Sequence, residues 1–190
     1  MIVRCDWALG SQMMIDYHDR EWGVPLHDDL KLFEFLILDA FQAGLSWAIT
    51  LNKRESMRRA FDGFNPELIA AYDDAKIETL RQDPGIIRNR LKIRAAIYNA
   101  EAFLRVRDEF GGFDPYIWRF VGGRPVRNGW RTMAEVPATS RESDAMSRDL
   151  KSRGFGFVGS TICYAFMQAT GMVNDHLVNC FRYTEVSIAE

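Results

Sequence analysis

Apolar residues recur at helical spacing along most of the chain, and no alternating run predicts a strand. The clearest segment is 29–42, which opens on an N-cap Asp, places Leu32, Phe35 and Leu36 three and four apart, and stops at Ala43-Gly44. A second helix is predicted over 46–61, before Asp62-Gly63, and Asn65-Pro66-Glu67 reads as an N-cap followed by proline at the first helical position. The pattern predicts further helices at 66–72, 74–82, 89–109, 114–121, 141–152, 160–170 and 173–181, with Pro137-Ala138-Thr139-Ser140 as a turn. Short connections and the lack of repeats or linkers imply one compact all-α bundle spanning 1–190.

At 190 residues, with 47% hydrophobic and 26% charged side chains, the composition is globular, which excludes disordered and fibrous classes. The longest apolar runs, such as Phe35 to Leu38, fall far short of the roughly 18 residues a membrane span needs, so no membrane partner is expected. Three cysteines, at 5, 163 and 180, make a poor disulfide framework, and the N-terminus lacks a secretory pattern; both point to a reduced, cytoplasmic protein.

Net charge is −2, yet it is unevenly spread. Residues 1–50 carry three basic and eight acidic side chains, whereas 81–107 carry seven basic and two acidic. Four arginines fall between 119 and 131 with no acid. Arginine outnumbers lysine 19 to 5, and its planar fork suits phosphate. From charge alone the basic half reads first as solvated helix faces, with a surface for phosphates as the alternative.

His176 and Cys180 stand four apart in the predicted helix 173–181, a spacing that puts two ligands on one face. Cys5 and His18 supply a second pair of the same types, and two Cys with two His would form a closed tetrahedral shell suited to structural zinc. The alternative is that the cysteines are small buried hydrophobes.

Between two predicted helices, Gly154, Gly156 and Gly159 let the backbone turn tightly, with Ser160 or Thr161 as the cap of the next helix. A helix N-terminus behind such a turn can bind a phosphate, or the segment is an ordinary αα-hairpin. Asp39 falls on the apolar stripe set by Leu32, Phe35 and Leu36, where a carboxylate is costly unless paired. With Tyr17, Trp22 and Trp47 it could box a flat cationic ligand, or it could cap a neighbouring turn.

Several stretches occur together in one order: Arg4-Cys5-Asp6-Trp7, Tyr17 to Pro25, Gln42-Ala43-Gly44-Leu45-Ser46-Trp47, Asp83-Pro84-Gly85-Ile86-Ile87-Arg88, Arg153 to Tyr164, Phe166 to Ala169 and Val173 to His176. In these the chain resembles the 3-methyladenine DNA glycosylase I family, a branch of the helix-hairpin-helix glycosylases, from about residue 4 to 183. The resemblance implies an all-α fold with a helix-hairpin-helix over about 141–170 that contacts DNA through its hairpin, at Gly154, Gly156, Gly159, Ser160 and Thr161. It implies structural zinc on Cys5, His18, His176 and Cys180, one ion, with Cys163 outside the set. Tyr17, Trp22 and Trp47 match the base pocket, Asp39 the base-reading and catalytic carboxylate, and residues 42–46, with Gly44 and Leu45, the loop that approaches the base stack.

The expected activity is base-excision repair: hydrolysis of the N-glycosidic bond of 3-methyladenine in alkylated double-stranded DNA, by a monomer that flips the base out. A 3-methylated adenine nucleoside is already cationic, so its base leaves neutral, and positioning and electrostatics can replace a strong acid. Relatives elsewhere in the superfamily carry a catalytic Asp where this chain has Asn174, and bifunctional relatives a lysine where it has Thr161, which implies simple hydrolysis without a lyase step. Two departures stand out: the family's carboxylate is normally Glu and here is Asp39, and a pocket aromatic is replaced by Met14. They leave open a pocket retuned for another alkylated base, and a third reading is a module that binds lesion DNA without cleaving it.

Overall fold

The computed structural model describes residues 2–188; the outermost residues of the expected 1–190 domain lie outside them. Among the described residues the chain forms ten α-helices: α1 (Gln12–Arg20), α2 (Asp29–Gln42), α3 (Trp47–Ala60), α4 (Pro66–Ala70), α5 (Asp74–Gln82), α6 (Arg90–Phe110), α7 (Phe113–Trp118), α8 (Arg141–Ser152), α9 (Ser160–Ala169) and α10 (Phe181–Ile188). None is long and apolar enough to cross a membrane.

The bundle is organised around α2, in which every residue from Leu32 to Phe41 is buried. Asp39 therefore lies in a helix covered on all sides rather than on one apolar stripe, and α3, α6, α7 and α9 supply the cover. The cap of α2 is Asp28, whose carboxylate accepts from Lys31 N. Asp29, expected in that role, instead accepts from the backbone N–H groups of Phe113 and Asp114 and so fixes the start of α7. Asn89 caps α6, which runs for 21 residues until Gly111 takes a left-handed conformation.

Two regions differ from the sequence pattern. The predicted helix 173–181 does not form. Val173–Asn174 instead makes a short strand, β2, parallel to Val126–Arg127, β1, and residues 175–180 are irregular. The physical reason is local competition: Asn174 Oδ1 accepts from His176 N, and the Asp175 carboxylate draws in four side-chain donors, which takes the backbone out of the helical path. Helix α1, conversely, is absent from the sequence prediction; Ser11 caps it by accepting from Met14 N.

Candidate active site

A cavity of about 310 Å³ opens where α1, α2, α3 and α9 meet. Its walls are aromatic: Tyr17 and Trp22 from α1 and the residues just after it, Trp47 from the first turn of α3, and Trp7 from the 3₁₀ turn Asp6–Gly10. Trp7 meets Trp22 edge-on at 4.9 Å between ring centres, and Tyr17 lies 5.3 Å from Trp47 in a tilted pair. The three rings singled out in the sequence thus share one cavity. Trp7, Gln42, Met133 and Gln168 complete it, and Met14 also lines it. For Trp7 the available signal was its place two residues after Cys5, which ties it to the same corner of the fold.

Asp39 lines the cavity with only 1% of its surface exposed. Its Oδ2 has no hydrogen-bond partner, and no cation pairs with it among the described residues. Burial alone pushes its carboxyl well above the usual carboxylate range. The Tyr17 hydroxyl is likewise raised, chiefly by burial and then by the nearby Asp39 charge. The indole Nε1 of Trp47 is a second buried polar atom without a partner. In an aromatic cavity the acid without a donor calls for a flat ligand that brings a donor and positive charge, and the unpaired indole N–H calls for an acceptor.

One face of the cavity is braced by Asp175, 1% exposed, whose carboxylate accepts from Asn128, Trp130 and Tyr164 and from Gln168 Nε2 at 2.8 Å. It holds α9 against the segment after β2 and orients the Gln168 amide.

Behind Trp22 lie Cys5, His18, His176 and Cys180, all buried, with their ligand atoms within 4.8 Å of one another. His176 and Cys180 come together without the helix their spacing suggested, since both sit in the irregular segment before α10. Cys180 Sγ is 3.5 Å from His18 Nε2 and 3.7 Å from His176 Nδ1, and Cys5 Sγ is 3.9 Å from His176 Nδ1. A tetrahedral ion with ordinary Zn–S and Zn–N bonds has S···N edges of about 3.6 Å, so the donor set fits a metal of that kind. The outer ring nitrogens are already engaged: His18 Nδ1 with Asp19 at 2.8 Å, itself held by Arg4, and His176 Nε2 with the Trp22 carbonyl at 3.0 Å. That leaves His18 Nε2 and His176 Nδ1 facing inward as ligands. Hydrogen bonds from Cys5 and then from the two histidines lower the Cys180 thiol, while the Cys5 thiol is pushed up by the same contact and by burial.

The glycine segment joins α8 to α9 as a tight turn. Gly154 needs its left-handed φ of +94°, and the Phe155 N–H then closes on the Leu150 carbonyl. Gly156 exchanges two hydrogen bonds with the Asn99 side chain of α6. Gly159 is the N-cap of α9, with an ordinary φ of −62° and no neighbour where a Cβ would stand. The expected cap by Ser160 or Thr161 does not form: Ser160 is the first helical residue and its hydroxyl bonds Asp144, while Thr161 is exposed. The N-terminal amides of α9 therefore have no side-chain cap.

The loop between α2 and α3 carries Gly44 and Leu45 next to the cavity mouth, between Gln42 and Trp47. Lys92, 6% exposed, donates from Nζ to the Phe41 and Ala43 carbonyls at 2.8 and 2.6 Å, closing the end of α2, and sits 5.9 Å from the ring centre of Phe157 in the glycine turn. The loop and the turn thus share one support.

A family model described as methyladenine glycosylase matches residues 7–183. A curated relative, DNA-3-methyladenine glycosylase 1 of Escherichia coli (strain K12), is 48% identical over 180 residues, covering 95% of this chain and 96% of its own length. A crystal structure of 3-methyladenine DNA glycosylase I superposes with a TM-score of 0.92 at 47% identity, covering 94% of this chain and 98% of that one. A tyrosine-to-phenylalanine variant of 3-methyladenine DNA glycosylase I, in complex with 3-methyladenine, gives 0.91 at 31% identity, covering 94% and 96%.

Proposed function

The chain belongs to the methyladenine glycosylase family, and from that membership we propose that it excises 3-methyladenine from alkylated double-stranded DNA in base-excision repair. The activity is that of a DNA-3-methyladenine glycosylase, hydrolysing an N-glycosyl bond. The observation that carries the site assignment is the unpartnered Oδ2 of Asp39 in the aromatic cavity. A 3-methyladenine nucleotide brings a positive charge and an exocyclic amine, which satisfy a buried acid that nothing in the protein satisfies. Trp22 and Trp47 pack on the base, and Tyr17 and Asp39 hydrogen-bond its edge.

The base reaches this cavity only once extruded from the duplex, at a cost of a few kcal/mol. Gly44 and Leu45 enter the stack where it has left, and the amides of α9 behind Gly154, Gly156 and Gly159, with Ser160 and Thr161, hold the phosphates of a helix-hairpin-helix contact. Because the bound nucleotide is already cationic and its base leaves neutral, positioning and the Asp39 charge carry the hydrolysis. Thr161, where bifunctional relatives carry a lysine, offers no amine nucleophile, so the reaction is monofunctional, and Asn174 takes the place of the catalytic Asp of other relatives. Cys5, His18, His176 and Cys180 hold one zinc ion, whose closed shell gives it a structural role rather than a catalytic one. The protein acts as a cytoplasmic monomer.

The test is release of free 3-methyladenine from methylated duplex DNA, with the Asp39→Asn variant expected to be about a hundredfold slower, the cost typical of removing one electrostatic contact to a reacting centre. One observation favours a second reading: with Asp at 39 and Met14 in the lining, the acid is a methylene shorter and one wall is less aromatic than the family pattern, so a different alkylated base fits. Mass spectrometry of bases released from variously alkylated DNA separates the two. Tight binding of damaged duplex with no release would instead mark a binding module.

A further inference from the structure

The segment Asp83 to Arg88 has no part in the cavity, the metal cluster or the glycine turn, yet it is built rigidly. Lys53 Nζ donates to the Pro84 carbonyl at 2.7 Å, Ser56 Oγ to the Gly85 carbonyl at 2.6 Å, and Gly85 N to Asp83 at 2.7 Å. Ile86 is buried beneath it at 2% exposure. Between this segment and α3 runs an open groove of about 560 Å³. Three cations, Lys53, Arg81 and Arg88, line it beside Leu45, Ile49 and Ile87, and no acid does. The 490 Å³ cleft beside α2 differs in carrying acids among its cations: Glu21, Glu34 and Glu55 line it and tie Arg54 and Arg58, though not Arg20 or Lys31. Arg88 pairs with no carboxylate among the described residues, and Arg81 pairs only with Glu78, which lies outside the groove lining.

Leu45 links the two places along the chain: it lines the cationic groove, and its loop neighbours Gln42 and Trp47 line the base cavity. Lys92 supports the other side of the same loop and faces the glycine turn. The loop is thus tied through Lys92 to the glycine turn, and its Leu45 lines an acid-free cationic groove.

We propose that this groove, through Arg81 and Arg88, binds the phosphodiester backbone of the strand opposite the damaged base. The inference rests on the glycosylase reading above. If the glycine turn holds the strand that gives up its base, a leucine entering the gap ends against the partner strand, and the cations beyond that leucine meet the partner's phosphates. Charge complementarity selects the occupant: a groove with three cations and no acid, open to solvent, fits a polyanion.

The experiment compares binding of a duplex and of the matching single strand, each holding one stable abasic analogue, by wild type and by Arg88→Ala and Arg81→Ala, across a salt series. Loss of one phosphate contact lowers the salt slope by about 0.9 and weakens duplex binding roughly eightfold near 0.1 M salt. The expected result is that the ratio of duplex to single-strand affinity falls by about that factor for Arg88→Ala. An unchanged duplex affinity, or an equal loss on both substrates, overturns the proposal. Failure of the parent reading looks different, since wild type would then release no base from methylated DNA whatever the variants bind.

Discussion

The imidazole of His176 joins the metal cluster to the base cavity: its Nδ1 faces Cys5 and Cys180, and its Nε2 lies 3.0 Å from the carbonyl oxygen of Trp22. Only one tautomer serves both ends, with the proton on Nε2 donated to Trp22 and Nδ1 free to ligate. The ring also meets the Trp22 indole edge-on at 4.6 Å between centres. A wall of the cavity is therefore held by the same side chain that would hold the ion.

Metal removal should accordingly disturb function as well as stability. Elemental analysis of the purified protein is expected to give one zinc per chain. Cys180→Ser is expected to lose the metal, to lower the melting temperature by more than 10 °C, and to slow base release more than a matched destabilising core substitution does. Retention of full activity by a metal-free protein would contradict the link through His176. Tryptophan fluorescence during chelation, compared between wild type and Trp22→Phe, isolates the contribution of that wall.

Asp39 should trade stability for activity. Its folded-state carboxyl is raised by burial, so between its unfolded and folded values the native state binds more protons than the unfolded state, and stability falls as pH rises through that window. Asp39→Asn removes this penalty. It is expected to melt several degrees higher at pH 7 than wild type, to lose part of the pH dependence of stability above pH 4, and to release base about a hundredfold more slowly. Thermal melts from pH 4 to 8, run beside the release assay, check both halves.

Asp175→Asn replaces a carboxylate that four donors share with an amide that turns a donor of its own toward them. The expected cost is about 3 kcal/mol, as for other buried charge networks that lose one member, which corresponds to a melting temperature roughly 6–12 °C lower in a chain of this size. Because Gln168 loses its anchor, KM for methylated DNA should rise as well.

Gly171 stands where the chain just before Leu26 crosses the end of α9. A Cβ built there would lie 2.4 Å from both Pro25 N and the Val24 carbonyl carbon, and φ is +72°. Backbone atoms cannot swing aside as a side-chain tip can. Gly171→Ala is expected to cost more than about 3 kcal/mol, with little soluble protein at 37 °C. Gly63→Ala, also at positive φ but with open space at its Cβ, should cost about 1 kcal/mol and makes the control.

The cavity rings and Asp39 were legible in the sequence because they depend on residue types: a carboxylate in an apolar helix stands out whatever surrounds it. The four cluster residues were legible for the same reason, though the helix invoked for His176 and Cys180 was not there. Periodicity could not foresee that Asn174 and Asp175 would spend their side chains on the local backbone and on Trp130, Tyr164 and Gln168, because three of those donors come from elsewhere in the sequence or in the fold. Lys92 was equally hidden. In a basic stretch it reads as one more solvated cation, and only the three-dimensional arrangement brings it to the end of α2. Helix α1 was missed because its polar residues dilute the apolar pattern, even though Ser11 marks its start.

The four cluster residues sit at the extremes of the described chain, with Leu177 N donating to Cys5 Sγ and Phe181 N to the Val3 carbonyl. During synthesis the first half of the set, Cys5 and His18, is complete 162 residues before Cys180 is made. The clasp can shut only after residue 180 has left the ribosome, so the wall at Trp22 is set only after every helix from α1 to α9 has been made.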